Sequence, residues 1–176
     1  MKKQMLVLLV GLLALMLAAC GSPSSAQPAA SSSSGKKFDP RQWVGTYKGT
    51  WTNQVTNATG PATVTLSVDE AKKEATVVVD MDGPYLGLVE APPQTFVAKY
   101  DDTMAKLAGK NVLFGDYSIT IDPDGKIVGT FKNLAGGIVP EMSYTGQLGN
   151  GKLDSDYTVK FADGKTATSI LRTTKQ

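Results

Sequence analysis

Apolar and polar residues alternate along most of this chain, and a period of two restricts such stretches to half-buried β-strands. Tyr47, Gly49 and Trp51 interleave with Thr46, Lys48 and Thr50. Ala62, Val64, Leu66 and Val68 interleave with Thr63, Thr65 and Ser67, and Ala75, Val77, Val79 and Met81 follow. Later come Tyr117, Ile119 and Ile121, then Ile127, Gly129 and Phe131, then Met142, Tyr144, Gly146 and Leu148. Leu153, Ser155, Tyr157, Val159 and Phe161 face one way, with Asp154, Asp156, Thr158 and Lys160 on the other face. The connections carry turn chemistry: Asp122-Pro123-Asp124-Gly125, Gly149-Asn150-Gly151, Ala162-Asp163-Gly164 and the polar stretch Asp69 to Lys73. Pro presets φ at the first turn position and Gly supplies positive φ. Short connections join antiparallel neighbours.

The expected fold is therefore all-β, an antiparallel meander of about eight to ten strands. No helix of three turns is placed. Asp102 to Lys110 has helical propensity, but Thr103 to Leu107 alternates and is read as strand. Open edges are a liability, so a meander this long closes into a barrel or splits into a two-sheet sandwich. Gly49, Gly129 and Gly146 lie inside strands, which suits the bends of a small barrel and favours closure.

The start of the chain follows another logic. Lys2 and Lys3 precede an apolar run from Met5 to Leu17, broken only by Gly11, and small residues then lead to Cys20. This is the layout of a secretory signal peptide over residues 1–19, too short to span a bilayer as a helix. Leu17-Ala18-Ala19-Cys20 resembles the lipobox of bacterial lipoproteins. That resemblance implies diacylglycerol on the Cys20 thiol, cleavage before it, and an acyl chain such as palmitate on the new amino group. It places the protein in the bacterial cell envelope, lipid-anchored on the extracytoplasmic side. Gly21 permits the outer membrane in an organism that has one. Two or three chains hold a protein stably where one does not. Cys20 is the only cysteine, so no internal disulfide forms.

Residues 20–37 are Ser, Ala, Pro and Gly with a few polar residues after the cysteine, a composition that cannot offset the entropy of ordering. They read as a tether that stands residues 38–176, a single domain, off the membrane. Loss of Lys2 and Lys3 with the signal leaves sixteen basic residues of the eighteen against sixteen acidic ones. A neutral mature chain gives no electrostatic case for nucleic acid.

At the domain's first strand a second resemblance appears. Phe38-Asp39-Pro40-Arg41-Gln42-Trp43-Val44-Gly45-Thr46-Tyr47 is similar to the opening of lipocalins and fatty-acid-binding proteins, where a short helical turn precedes Gly-x-Trp and closes the barrel's end. Gly45 matches the glycine and Tyr47 stands at the tryptophan. Gly49-Thr50-Trp51 repeats the pattern four residues later. The resemblance implies an Arg late in the last strand, packed over the first-strand aromatic or binding a carboxylate, and Arg172 is so placed. The Arg-x-Tyr carboxylate pair is broken by Thr174.

The catalytic inventory is thin. Histidine is absent, which removes the usual general base and the commonest zinc ligand. Asp122 and Asp124 read as a hairpin turn rather than a calcium loop. Asp154 and Asp156 share a solvated face. No phosphate-binding loop, metal site or cofactor motif is present, and the sequence points away from an enzyme.

Two connections break the polar-turn rule. Residues 82–93 carry Tyr85, Leu86 and Leu88, and residues 133–140 carry Ile138 and Val139. Such apolar loops plug a barrel end or rim a pocket. The leading expectation is a barrel that binds an apolar or amphipathic small molecule, with Tyr47, Trp51, Tyr85, Leu86, Leu88, Ile138, Val139 and Arg172 as candidate contacts. The alternative is a structural or accessory envelope lipoprotein with a solid barrel that binds a protein partner. An enzyme comes third.

Overall fold

Ten antiparallel strands follow one another around a closed barrel, each hydrogen-bonded to its neighbours in sequence, with the first also paired to the last. The computed structural model describes residues 35–54, 57–83, 92–112, 114–137 and 139–176. Residues 33–176 form one compact unit. The strands are β1 (Gly45–Asn53), β2 (Thr59–Asp69), β3 (Glu74–Met81), β4 (Gln94–Tyr100) and β5 (Ala105–Asn111). They continue as β6 (Gly115–Ile121), β7 (Lys126–Asn133), β8 (Val139–Gly149), β9 (Lys152–Lys160) and β10 (Thr166–Lys175), with a single helical turn α1 (Leu134–Gly137) between β7 and β8. Closure by β1 and β10 runs from Tyr47↔Lys175 to Asn53↔Ser169. The sandwich alternative is thereby set aside.

Asn150 and Gly151, both at positive φ, form the two-residue turn that matches strand twist between β8 and β9. Asp122 Oδ1 accepts from the backbone N–H of Asp124 at 3.0 Å and of Lys126 at 2.9 Å, which fixes the β6–β7 turn. Inside the strands Gly49 answers a different need. A Cβ there would lie 1.9 Å from Arg172 O, so only glycine lets β1 approach β10 at the closing seam.

Two strands join those expected from alternation. In β4 the outward Val97 is 45% exposed and blurs the pattern around inward Phe96 and Ala98. In β10 two of the inward positions are polar, Ser169 and Thr173, both buried. Thr173 donates its hydroxyl to Leu153 O at 2.7 Å, which makes its burial tolerable. One expected position fails. Phe161 lies beyond the end of β9 and is exposed, because the strand stops at Lys160 and the turn carries the side chain outward.

The end of the barrel before β1 is closed as the resemblance implied. A 3₁₀ turn spans Pro40–Trp43, with Asp39 as its cap. The Trp43 and Phe38 rings meet edge-on at 5.5 Å, and the Tyr47 hydroxyl donates to Trp43 O at 2.8 Å. Outward positions are mostly Thr, Lys, Asp and Ser, and inward ones mostly apolar. That is the inverse of a barrel that spans a bilayer.

No charged side chain among the described residues is buried, and exposed carboxyls set the pH dependence. Hydrogen bonds hold five exposed carboxyls below their ordinary 3.8. The leading donors are Arg41 for Asp39, Lys72 for Asp69, Thr103 for Asp101, Asn133 for Asp116 and Lys165 for Asp163. A depressed folded-state value adds stability above the unfolded value and loses it as pH falls through the folded one. With no histidine in the chain, melting temperature is expected to stay level from about pH 5 to pH 8 and to fall below about pH 4. A stability step near pH 6.5 in a series of thermal melts would contradict this.

Candidate ligand cavity

The inward faces of the strands do not quite fill the barrel. They leave a cavity of about 110 Å³, to which every strand except β1 contributes. Its walls are Val, Leu, Ile, Met, Phe and Ala, with two phenols, Tyr144 and Tyr157. Small residues contribute to the space: Ala98 and Ala105 face it from β4 and β5. An engineered cavity of about 150 Å³ with similar walls stays dry and takes up benzene, so this one is sized for a small ring or a short branched chain.

The wall is uneven around the barrel. β4 and β5 pair through only Lys99↔Lys106 and Tyr100↔Ala105, next to their turn. Beyond that point the ladder is interrupted. There an aromatic cluster stands, with Phe96 5.6 Å from both Phe114 and Tyr117, and Phe131 5.8 Å from Phe114. Side-chain packing replaces backbone pairing on this side.

The polar groups are few and local. Tyr144 on β8 faces Tyr157 on β9, ring centroids 5.0 Å apart. Burial pushes the Tyr144 phenol up, and the Ser155 side chain beside it offsets this in part. Ser155 is 2% exposed; its hydroxyl lies beside the Tyr144 phenol, and among the described residues it makes no well-formed hydrogen bond. It sits opposite Gly146, whose missing side chain gives it room: a Cβ at Gly146 would lie 2.9 Å from Ser155 Cβ. Burial also raises the Tyr47 phenol, which serves the closed end.

The sequence candidates divide into three groups. Tyr47 and Trp51 point inward and are each 1% exposed, but they pack as core on the β1 side and do not line the cavity. Val139 is 1% exposed beside Leu134 at 0%, joined to it by a β-bridge across α1. It plugs the barrel rather than rimming a pocket. Arg172 is a correction. It lies on the outer face of β10, where its guanidinium donates to Asp156 at 2.8 Å and to Ser155 O at 2.9 Å. Ser and Thr take the inward places on either side of Leu171, so an odd-numbered register puts the arginine outside. Cys20, Tyr85, Leu86, Leu88 and Ile138 lie outside the described residues. The described strands β3 and β7 both end at the same end of the barrel, opposite the 3₁₀ turn.

The residues missed by site reasoning are the cavity walls themselves, such as Phe96, Leu107, Met142 and Tyr144. Alternation marks them as inward, but carries no signal separating wall from filled core. Matched against protein-family models and against curated proteins, the chain finds no counterpart in either.

Proposed function

We propose that this protein binds a small apolar or amphipathic molecule inside its barrel, while lipid chains on Cys20 tether it to the cell envelope. The observation that carries the reading is the apolar cavity of about 110 Å³, lined by nine strands of the barrel. Ligand sites are concave and mostly apolar with a few placed polar groups, which is the character of this interior. The lipobox-like Leu17-Ala18-Ala19-Cys20 supports the anchor.

Native mass spectrometry of residues 33–176 tests the barrel. The expected result is a species heavier by one small-molecule mass, lost on gentle activation, or created on incubation with small aromatic and branched aliphatic compounds. An unloaded mass throughout, with no change in melting temperature across the same compounds, overturns it in favour of a solid barrel that binds a protein partner. For the anchor, Cys20→Ser is expected to move the protein from the membrane fraction to the soluble fraction and to abolish labelling by a fatty-acid probe. Unchanged membrane partition of Cys20→Ser would sink the anchor alone.

A further inference from the structure

The cavity has a chemical preference that its shape alone does not express, and this inference rests on the binding reading above. Among the described residues that line it there is no lysine, arginine, aspartate or glutamate. The arginine that the sequence offered as a carboxylate partner is outside. A charged head group brought into this space would lose its hydration and find no counter-ion. A carboxylate, phosphate or ammonium is therefore a poor occupant.

The interior is not wholly apolar, however. Ser155 is buried, and among the described residues its hydroxyl makes no well-formed hydrogen bond, an arrangement that native proteins rarely keep without a reason. It faces inward between Leu153 and Tyr157, both of which line the cavity. Ser155 itself does not line it. Its cross-strand partner is Gly146, and Tyr144 is two residues from Gly146 on the same face, so Tyr144 and Ser155 are diagonal neighbours. That spacing is within reach of a long aromatic side chain. Tyr144 thus lines the cavity and has the Ser155 side chain beside its phenol. A phenol both donates and accepts, so it can take one hydrogen bond from Ser155 and give another to an occupant.

We infer that the ligand is an uncharged amphiphile with one hydrogen-bonding group, an alcohol, phenol or carbonyl, which docks on the Tyr144 hydroxyl with Ser155 as its second partner. The apolar body of the ligand lies against the aliphatic wall. Its single polar group joins the Tyr144–Ser155 pair at the wall of the cavity.

Three probes of one size separate the possibilities: benzene, phenol and benzoate, titrated into residues 33–176 at pH 7, where phenol is neutral and benzoate charged. Phenol is expected to bind at least as tightly as benzene, although its hydroxyl must be desolvated, and benzoate is expected not to bind. Tyr144→Phe keeps the ring stacked on Tyr157 and should weaken phenol about 10-fold relative to benzene. Ser155→Ala should weaken phenol by a smaller factor, roughly 3-fold, with benzene unchanged in both variants. A phenol-to-benzene ratio that is the same in wild type and both variants overturns the inference and leaves the cavity reading intact. So does benzoate binding as tightly as phenol. If benzene itself fails to bind, the cavity reading falls, and this inference falls with it.

Discussion

Trp51→Ala is expected to lower folding stability by about 3–5 kcal/mol, and the melting temperature of the barrel by roughly 10–15 °C. Trp51 is among the largest fully buried side chains of the barrel. Removing it deletes the transfer free energy of an indole and leaves a hole that closed strands cannot collapse to fill. The surroundings are built around the ring. A Cβ at Gly60 would lie 2.7 Å from the indole nitrogen, so β2 is bare there to admit it. The indole N–H donates to Asp82 O at 2.8 Å, tying β1 to the chain just after β3. Trp51→Phe keeps most of the apolar area and loses the hydrogen bond, so its cost should be nearer 1–2 kcal/mol. Denaturant titration of both variants checks the order. A loss below about 1 kcal/mol for the alanine variant would mean that the indole is not the packed element described here.

The second large effect is on binding. Ala98→Phe is expected to weaken a benzene-sized ligand by at least about 100-fold while the barrel still folds. Ala98 is buried on β4 and faces the cavity, so a larger side chain grows into the space that a ligand would occupy. Ala98→Leu adds less volume and should give an intermediate loss. Overpacking carries its own cost of about 1–3 kcal/mol, set against the benefit of filling a void, so the net stability change should be small. Isothermal titration and denaturation on the same samples separate the two terms. Undiminished affinity in a folded Ala98→Phe variant would place the ligand elsewhere. Trp51→Ala opens space in a filled part of the barrel, whereas Ala98→Phe removes space that is open.

The contrast between those two positions also shows what the sequence made legible. Alternation is a direct consequence of strand geometry in a barrel with one wet face, so it reported Trp51, Val64 and Tyr157 as inward without any tertiary information. It failed where the geometric rule and the chemistry disagree. Ser169 and Thr173 are polar and inward, because hydrogen bonding makes buried hydroxyls acceptable. Val97 is apolar and outward, because isolated surface valines cost little. Both facts hid a strand. Arg172 failed for a related reason. A charge near the end of a last strand resembled an interior partner, yet its parity in β10 puts it on the solvated face with Asp156. Such an exposed pair contributes little to stability.

The cavity was less legible than the fold. Whether a ring of inward side chains closes up or leaves a void depends on volumes summed across strands that are far apart in sequence. Ala98 and Ala105 leave room in the wall, and Gly146 leaves room for Ser155. Nothing in a period of two distinguishes these from Ala62 or Ala75. Ser155 was in view as an inward residue, but only the paired register of β8 and β9 sets it beside Tyr144.

We propose that a small apolar molecule occupies the interior of this barrel. Methyl-detected NMR of residues 33–176, titrated with benzene, tests it most directly because each methyl reports its own position. The account predicts saturable shifts at the cavity methyls of Leu107, Ile119, Ile121 and Met142, with none at Val97 and Val128 on the outer face. Shifts confined to the outer valines, or none that saturate at any inward methyl, would contradict it.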